Sequence, residues 1–211
     1  AATDHTILIM TSSNFNEAYG TGYYQGDVPY LPGTSQYFPG NVEPATTAFD
    51  PIENPLEYFI NNSYNCAIII DYVKSNFNLK KFIYAASSSC YGINNNKTDE
   101  KQKIKPEHPY AFSKYIGEQS CMHWSKVYKI PTISIRIFNA YGPRSRTNNV
   151  YGAVIGVFLK QKLSNYPLTI VGNGKQKRDF LYISDVCQAF YKAAISKYKN
   201  EIFNLGRGKA E

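Results

Sequence analysis

The sequence predicts an α/β fold built on a parallel sheet. Short apolar runs alternate with segments of helical period, the runs are near-continuously apolar as in strands buried on both faces, and polar stretches rich in Gly, Asn and Pro separate them. Ile7-Leu8-Ile9-Met10 reads as a first strand. Leu56 to Val73 reads as a helix that offers Tyr58, Phe59, Cys66, Ile69, Ile70 and Val73 to a buried face. Phe82-Ile83-Tyr84-Ala85-Ala86 is a strand, closed by the turn signal Tyr91-Gly92. After a polar loop, Pro109 opens a helix that runs to Tyr128; proline is tolerated there because the N–H it lacks would have no partner in the first turn. Thr132 to Phe138 is the next apolar strand, Val150 to Leu163 a helix, and Leu168 to Val171 and Phe180 to Ile183 two short strands. Val186 to Ser196 is a helix before the strand Ile202 to Leu205.

Composition bounds what such a chain does. With 43% hydrophobic residues among 211 it can bury a sizeable core, and a mean hydropathy of −0.39 with no apolar run of membrane length gives no membrane partner. Ala1-Ala2-Thr3-Asp4-His5 has neither the basic start nor the apolar stretch of a secretory signal. Cys66, Cys90, Cys121 and Cys187 are widely separated and form no C-x-x-C pair, which argues for reduced thiols, no metal site and a cytoplasmic location. The net charge of +7 comes from scattered lysines such as Lys97, Lys101, Lys160, Lys175 and Lys197, not from an aromatic-interleaved module, so no specific nucleic-acid partner is expected. A positive field still helps draw in an anionic small molecule.

The most informative run is His108-Pro109-Tyr110-Ala111-Phe112-Ser113-Lys114. Tyr110 and Lys114 stand four residues apart and share one face of a helix. A phenol with a pKa of about 10 is a poor base at neutral pH, and an ammonium held nearby favours the phenolate. Ser87-Ser88-Ser89, at the end of the Phe82 strand, supplies a hydroxyl able to bind the same substrate oxygen. The three parts together suggest alcohol–ketone chemistry with a nicotinamide. Y-x-x-x-K is a short pattern in a chain with 19 tyrosines, so the setting of strand, serines and proline-opened helix is what selects it. His108 and His123 pair by spacing with neither a nucleophile nor metal ligands, and His108 reads as a loop residue beside this helix.

From about Phe49 to Glu211 the sequence resembles the nucleotide-sugar epimerase/dehydratase branch of the extended short-chain dehydrogenase/reductase family. The matching runs are Ile52 to Phe59 with Asn62, Tyr84 to Gly92, Pro109 to Lys114, Arg136 to Arg144, and Gly172 to Phe180, in that order. The resemblance implies a Rossmann-like doubly wound parallel sheet, NAD as cofactor and a nucleotide sugar as substrate. It implies Ser87, Tyr110 and Lys114 as catalytic residues, with Lys114 also holding the nicotinamide ribose. Asn62, Ala85 and Phe138 join them on the cofactor side. Ser88, Ser89, Asn139, Val154 and Arg178 fall on the substrate side. Arg178 is placed to pair with the nucleotide diphosphate, for which a planar guanidinium is suited; a solvated loop arginine is the plainer reading. Val154 lies in the run Tyr151-Gly152-Ala153-Val154-Ile155, which resembles the segment along the nucleotide base and reads equally as a helix start packed on the core.

Within the family the 4,6-dehydratases carry an acid pair where this chain has Ser88 and Ser89, because eliminating water needs a further general acid and base. Their absence favours epimerisation at C4 of a UDP-hexose or UDP-N-acetylhexosamine through a 4-keto intermediate. A nucleotide-sugar reductase or dehydratase is the alternative among enzymes. The resemblance also implies a homodimer through the helices that begin at Leu56 and Pro109, although Phe112, Tyr115, Ile116 and Trp124 suit an ordinary core equally.

The N-terminus departs from the family. Thr11-Ser12-Ser13-Asn14 follows the first strand without a glycine, and Gly20-Thr21-Gly22-Tyr23-Tyr24-Gln25-Gly26 runs into prolines instead of a phosphate-binding helix. The expected organisation is therefore an unassigned segment 1–48, an NAD-binding core with the catalytic residues at 49–148, and part of a small substrate domain at 149–211. The usual glycine-rich N-terminal half is missing, and both ends are expected to be incomplete. A non-catalytic epimerase-like remnant follows as the reading from a different class.

Overall fold

The computed structural model describes residues 7–10, 55–76, 79–93, 98–143, 154–170 and 172–210. In chain order the elements are β1 (Ile7–Met10), α1 (Pro55–Phe59), a π turn (Ile60–Tyr64), α2 (Asn65–Asn76), β2 (Lys81–Ser87), a 3-10 turn (Ser88–Tyr91) and α3 (Pro109–Tyr128). They continue with β3 (Thr132–Ile137), β4 (Asn139–Tyr141), α4 (Val154–Leu163), β5 (Phe180–Tyr182), α5 (Ile183–Ile195) and β6 (Glu201–Leu205). β1, β2, β3 and β6 form one parallel sheet in that order, and β4 pairs with β5 in a second, two-stranded parallel sheet.

The central strands are buried because helices cover both faces. In β2, Phe82, Tyr84 and Ala86 enter a core with Cys66, Ile70, Val73 and Cys121 of α2 and α3, while Ile83 and Ala85 enter a second core with Val186 and Phe190 of α5. That is the two-residue period of a strand read onto two helical layers, a doubly wound arrangement. Each fully buried Ile or Phe contributes roughly 1.5–3 kcal/mol, an upper estimate since unfolded chains bury some surface.

β3 differs from its expectation as a near-continuous apolar strand. Its isoleucines Ile133 and Ile135 fill the α5 side, but Thr132, Ser134 and Arg136 are also buried and do not belong to the apolar clusters. Ser134 and Arg136 meet Glu118 of α3, so a polar layer replaces apolar packing there. A second difference lies in the strand expected over Leu168 to Val171: Val171 lies outside the described residues, while Leu168 to Ile170 are exposed and pair with no strand among the described residues, Thr169 being held instead by the Gln161 side chain. The sequence reading also missed β4, which is only three residues long.

The helix expected over Leu56 to Val73 is interrupted. The Asn65 N–H bonds to Ile60 O, five residues back, and this wider turn buries Asn62 and Ser63 against α3. Tyr84 Oη donates to Asn62 O at 3.0 Å and to Lys114 O at 3.2 Å; Ser63 Oγ donates to Ser113 O at 2.7 Å. Gly117 permits this contact, since a Cβ there would stand 2.0 Å from Asn62 O and 2.4 Å from Tyr84 Oη. Gly117→Ala must therefore push the π turn off α3. We expect it to cost about 3 kcal/mol, read as a lower urea midpoint at unchanged m-value; an unshifted midpoint would contradict the packing described.

Candidate active site

The parallel register sets the ends of the strands level, with Ser87 beside Ile137 and Ile137 beside Leu205. Ligand sites in open parallel sheets lie beyond such ends. Ser87 leaves β2 in extended conformation and caps the following turn, its Oγ accepting from Ser89 N at 3.2 Å and lying 2.8 Å from Ser89 Oγ. Ser88 and Ser89 are half-buried on the same turn. Gly92, at φ +71°, ends it in a conformation that favours glycine.

α3 carries Tyr110, Lys114 and Glu118 in a stripe at four-residue spacing. Tyr110 is half-buried in its first turn, with Tyr58 of α1 edge-on at 5.7 Å between ring centroids and His108 stacked at 6.0 Å. Burial pushes the Tyr110 phenol above its ordinary value, and hydrogen bonding with Ser87 pulls the other way. One turn on, Lys114 is 3% exposed and its Nζ donates to Ala85 O at 2.5 Å, over the Tyr84 ring. Burial lowers the ammonium to about 8, against the opposing influence of Cys66, Cys121 and Glu118.

Another turn on, Glu118 is 1% exposed and receives two bonds from Arg136, Nε to Oε2 at 2.9 Å and Nη2 to Oε1 at 2.6 Å. Ser134 Oγ adds a third at 2.9 Å, Arg136 Nη1 donates to Tyr91 Oη at 2.6 Å, and Tyr91 donates to Asn204 Oδ1 at 2.8 Å. Burial opposes the Arg136 charge, yet Glu118 holds the guanidinium above its ordinary value.

The structure thus brings Ser87, Ser89, Tyr110, Lys114, Ala85 and Asn62 into one neighbourhood of β2, the π turn and α3. Asn62 Nδ2 donates to Ser113 Oγ at 3.0 Å, while its buried Oδ1 has no protein partner. Phe138 N is tied to Leu205 O at 3.0 Å, and Asn139 bonds Asp179 O through both its backbone and side-chain nitrogens. Those bonds tie Phe138 and Asn139 to other segments, and Arg178 and Val154 also stand apart from the neighbourhood. Arg178 is exposed and donates to Lys177 O at 3.0 Å, and Val154 is 39% exposed at the start of α4. Arg144, Tyr151 to Ala153 and the Gly20 to Gly26 run lie outside the described residues.

The profile of the NAD dependent epimerase/dehydratase family matches residues 46–206. The chain belongs to this family. A UDP-glucose epimerase of Bacillus subtilis, uncharacterized, is 39% identical over 130 residues, 61% of this chain and 40% of that protein. Among solved structures, UDP-N-acetylglucosamine 4-epimerase of Methanobrevibacter ruminantium, in complex with UDP-N-acetylmuramic acid, is 33% identical with a TM-score of 0.73 over 76% of this chain and 52% of its own. UDP-glucuronic acid 4-epimerase of Bacillus cereus, in complex with UDP-glucuronic acid and NAD, is 32% identical with a TM-score of 0.68 over 74% and 49%. Sugar-nucleotide dehydratases and reductases are also relatives. The chain spans about half the length of the curated relatives it matches.

The cofactor of this family is NAD, and the residues described here fit it: a buried carboxamide oxygen without a protein partner at the π turn, and a lysine with donors beyond the one given to Ala85 O, both at the strand ends. The expectation that Lys114 lowers the Tyr110 pKa takes a different form in the structure. Lys114 points its bond at the β2 backbone, and Ser87 is the group that lowers the phenol. His108, read as a loop residue, is the N-cap of α3. Sequence reasoning also missed Glu118, although its spacing from Tyr110 and Lys114 continues the stripe. Among the described residues there is no metal-binding cluster and no helix long and apolar enough to cross a membrane.

Two outcomes follow from these charges. Glu118→Leu alone leaves Arg136 buried and unpaired and is expected to cost about 3–5 kcal/mol, whereas Glu118→Leu with Arg136→Met recovers most of it; urea denaturation of the cycle checks this. Lys114 binds its proton less tightly folded, about 8, than at its ordinary 10.5. The unfolded chain therefore binds more protons between those values, so stability rises with pH across that window. Melting curves against Lys114→Met test it, and a difference curve without slope there refutes it.

Proposed function

We propose that the chain carries the catalytic core of an NAD-dependent nucleotide-sugar 4-epimerase acting on a UDP-hexose or its N-acetyl form. The observation that carries this reading is the juxtaposition of the Tyr110 phenol with Ser87 at the end of β2, one helical turn from the buried Lys114. NAD, when bound, supplies the hydride acceptor and donor for the sugar carbon. In this reading Tyr110 Oη takes the proton from the C4 hydroxyl and later returns one to the 4-keto oxygen, while Ser87 Oγ holds that oxygen in line.

Burial keeps Tyr110 a phenol, the form that donates the returning proton. The accepting half of the cycle needs positive charge, which in this reading Lys114, charged at neutral pH, brings from the same helix face when its Nζ turns from Ala85 O toward the phenol. Asn62 and Lys114 serve the cofactor side; Ser89, Asn139 and Arg178 serve the sugar diphosphate. Epimerisation is favoured over dehydration because Ser88 and Ser89 stand where an acid pair would be required. The domain boundaries at 48 and 148 are part of this proposal. So is a homodimer through α1 and α3, which present Leu56, Phe59, Tyr64 and Phe112 at 69%, 41%, 56% and 51% exposure together with the π turn between them.

Tyr110→Phe is expected to lower turnover of a UDP-sugar by 10²-fold or more, with NAD retention in native mass spectrometry unchanged. Retained turnover rules out Tyr110 as the acid/base. A protein that neither carries nor takes up NAD favours the non-catalytic reading, for which the missing glycine turn after Met10 is the supporting observation.

A further inference from the structure

The first turn of α3 is held in an unusual way. Pro109 at N1 has no N–H, and the N–H of the fully buried Ala111 is satisfied by His108 Nδ1 at 3.2 Å. Helices are ordinarily capped here by Ser, Thr, Asp or Asn, whose oxygens still accept at pH 5 to 8. An imidazole nitrogen accepts only while it is neutral; protonated, it becomes a second donor facing an N–H. The cation would also sit at the positive end of the helix dipole.

The same ring backs Tyr110. His108 and Tyr110 lie 12° from parallel at 6.0 Å, and Tyr58 of α1 meets Tyr110 edge-on at 87°, so the phenol is held between two rings on different elements. Among the described residues the charged and titratable groups about the imidazole are Glu107, itself 3.7 Å from Lys105 Nζ, and the Tyr110 phenol. Ser113 Oγ bonds to Tyr110 O at 2.9 Å, which ties the next turn to the same backbone.

We propose that His108 is a positioning residue for Tyr110: neutral, it caps α3 and seats the phenol, and protonating it releases the first turn and the phenol together. The proposal rests on the reading of Tyr110 as acid/base. Burial lowers His108 below its ordinary 6.5, with Glu107 opposing. The neutral cap is therefore fully present above 6.5 and is lost as pH falls through the depressed folded value. That gives turnover an acid limb that neither Tyr110 nor Lys114 produces, since both titrate on the alkaline side.

His108→Ser and His108→Ala, with the parent chain, test this by melting temperature, Tyr110 ring NMR shifts and turnover against pH. Serine restores a cap that does not titrate; alanine removes it. In the parent, Tyr110 ring resonances and melting temperature are expected to move together with the His108 titration below pH 6.5. In His108→Ser both movements disappear, and neutral-pH turnover falls less than in His108→Ala because the cap is restored while the stacked ring is not. His108→Ala is expected to melt about 2–4 °C lower at neutral pH and to lose about tenfold in kcat with a smaller change in KM. An acid limb unchanged in His108→Ser overturns the proposal, as do Tyr110 resonances blind to the His108 titration. The NMR and melting readouts need no turnover, so unimpaired Tyr110→Phe would remove the acid/base reading while leaving the His108 cap to be judged by its own measurements.

Discussion

The interaction on which the rest of this structure depends is the buried pair between Glu118 and Arg136. It locks α3 to β3 by a two-pronged bond, with Ser134 as a third donor, so both carboxylate oxygens are bonded to the strand. Taking both charges out of water carries a large desolvation cost, which such geometry only about offsets. Its value lies in specificity: a helix that slid or rotated by one residue would leave a carboxylate and a guanidinium unpaired in the core. Because Tyr110 and Lys114 lie on the same stripe of α3, fixing the helix at Glu118 fixes them too. Through Tyr91 and Asn204 the network reaches the turn after β2 and the end strand β6, both of which border the site.

A second constraint acts at the other side of the helix. Gly117 lets the π turn approach α3 to backbone contact, and the Tyr84 hydroxyl, from the middle of β2, binds the Asn62 and Lys114 carbonyls at once. A strand, a helix and a bulged helix therefore meet at one phenol. The bulge accompanies the burial of Asn62; a regular α-turn would instead pair Asn65 N–H with Asn61 O, four residues back. Local irregularity and candidate cofactor site coincide, as they often do.

Most of the sheet and helix order was legible in the sequence, because near-continuous apolar runs flanked by punctuation residues define buried parallel strands. The run Thr-Ile-Ser-Ile-Arg-Ile in β3 carried more than was read from it. Its strict alternation announces two different faces, and only the apolar one was used, since a buried arginine needs a partner that sequence periodicity does not name. The π turn left no signal in residues 60–64 beyond polar residues in a helical stretch. Leu168 to Ile170 shows the opposite error: apolar, β-prone residues are exposed and unpaired, so local preference did not decide their conformation. The Ser87, Tyr110 and Lys114 grouping was legible because chemistry, spacing and family resemblance agreed. The cap at His108 was not, because histidine is an uncommon residue at that position.

The direction of the two shifts at the site is itself informative. Burial acts against charge on both groups, raising the phenol and lowering the ammonium, so each takes its charge less readily than in water. As a phenolate–ammonium pair each would compensate the other, and the cost that separates them would fall. Lys114 keeps its proton at neutral pH by a margin of only about one unit, given a value of about 8. A lysine so poised answers to small changes in its surroundings: a bond lost at Ala85 O or a negative charge gained nearby would shift it measurably. In the arrangement seen, its charge is committed to the β2 backbone and Ser87 alone eases the phenol. In the proposed reading of Tyr110 as acid/base, its accepting half-reaction calls for the Lys114 charge to turn from the strand toward the phenol.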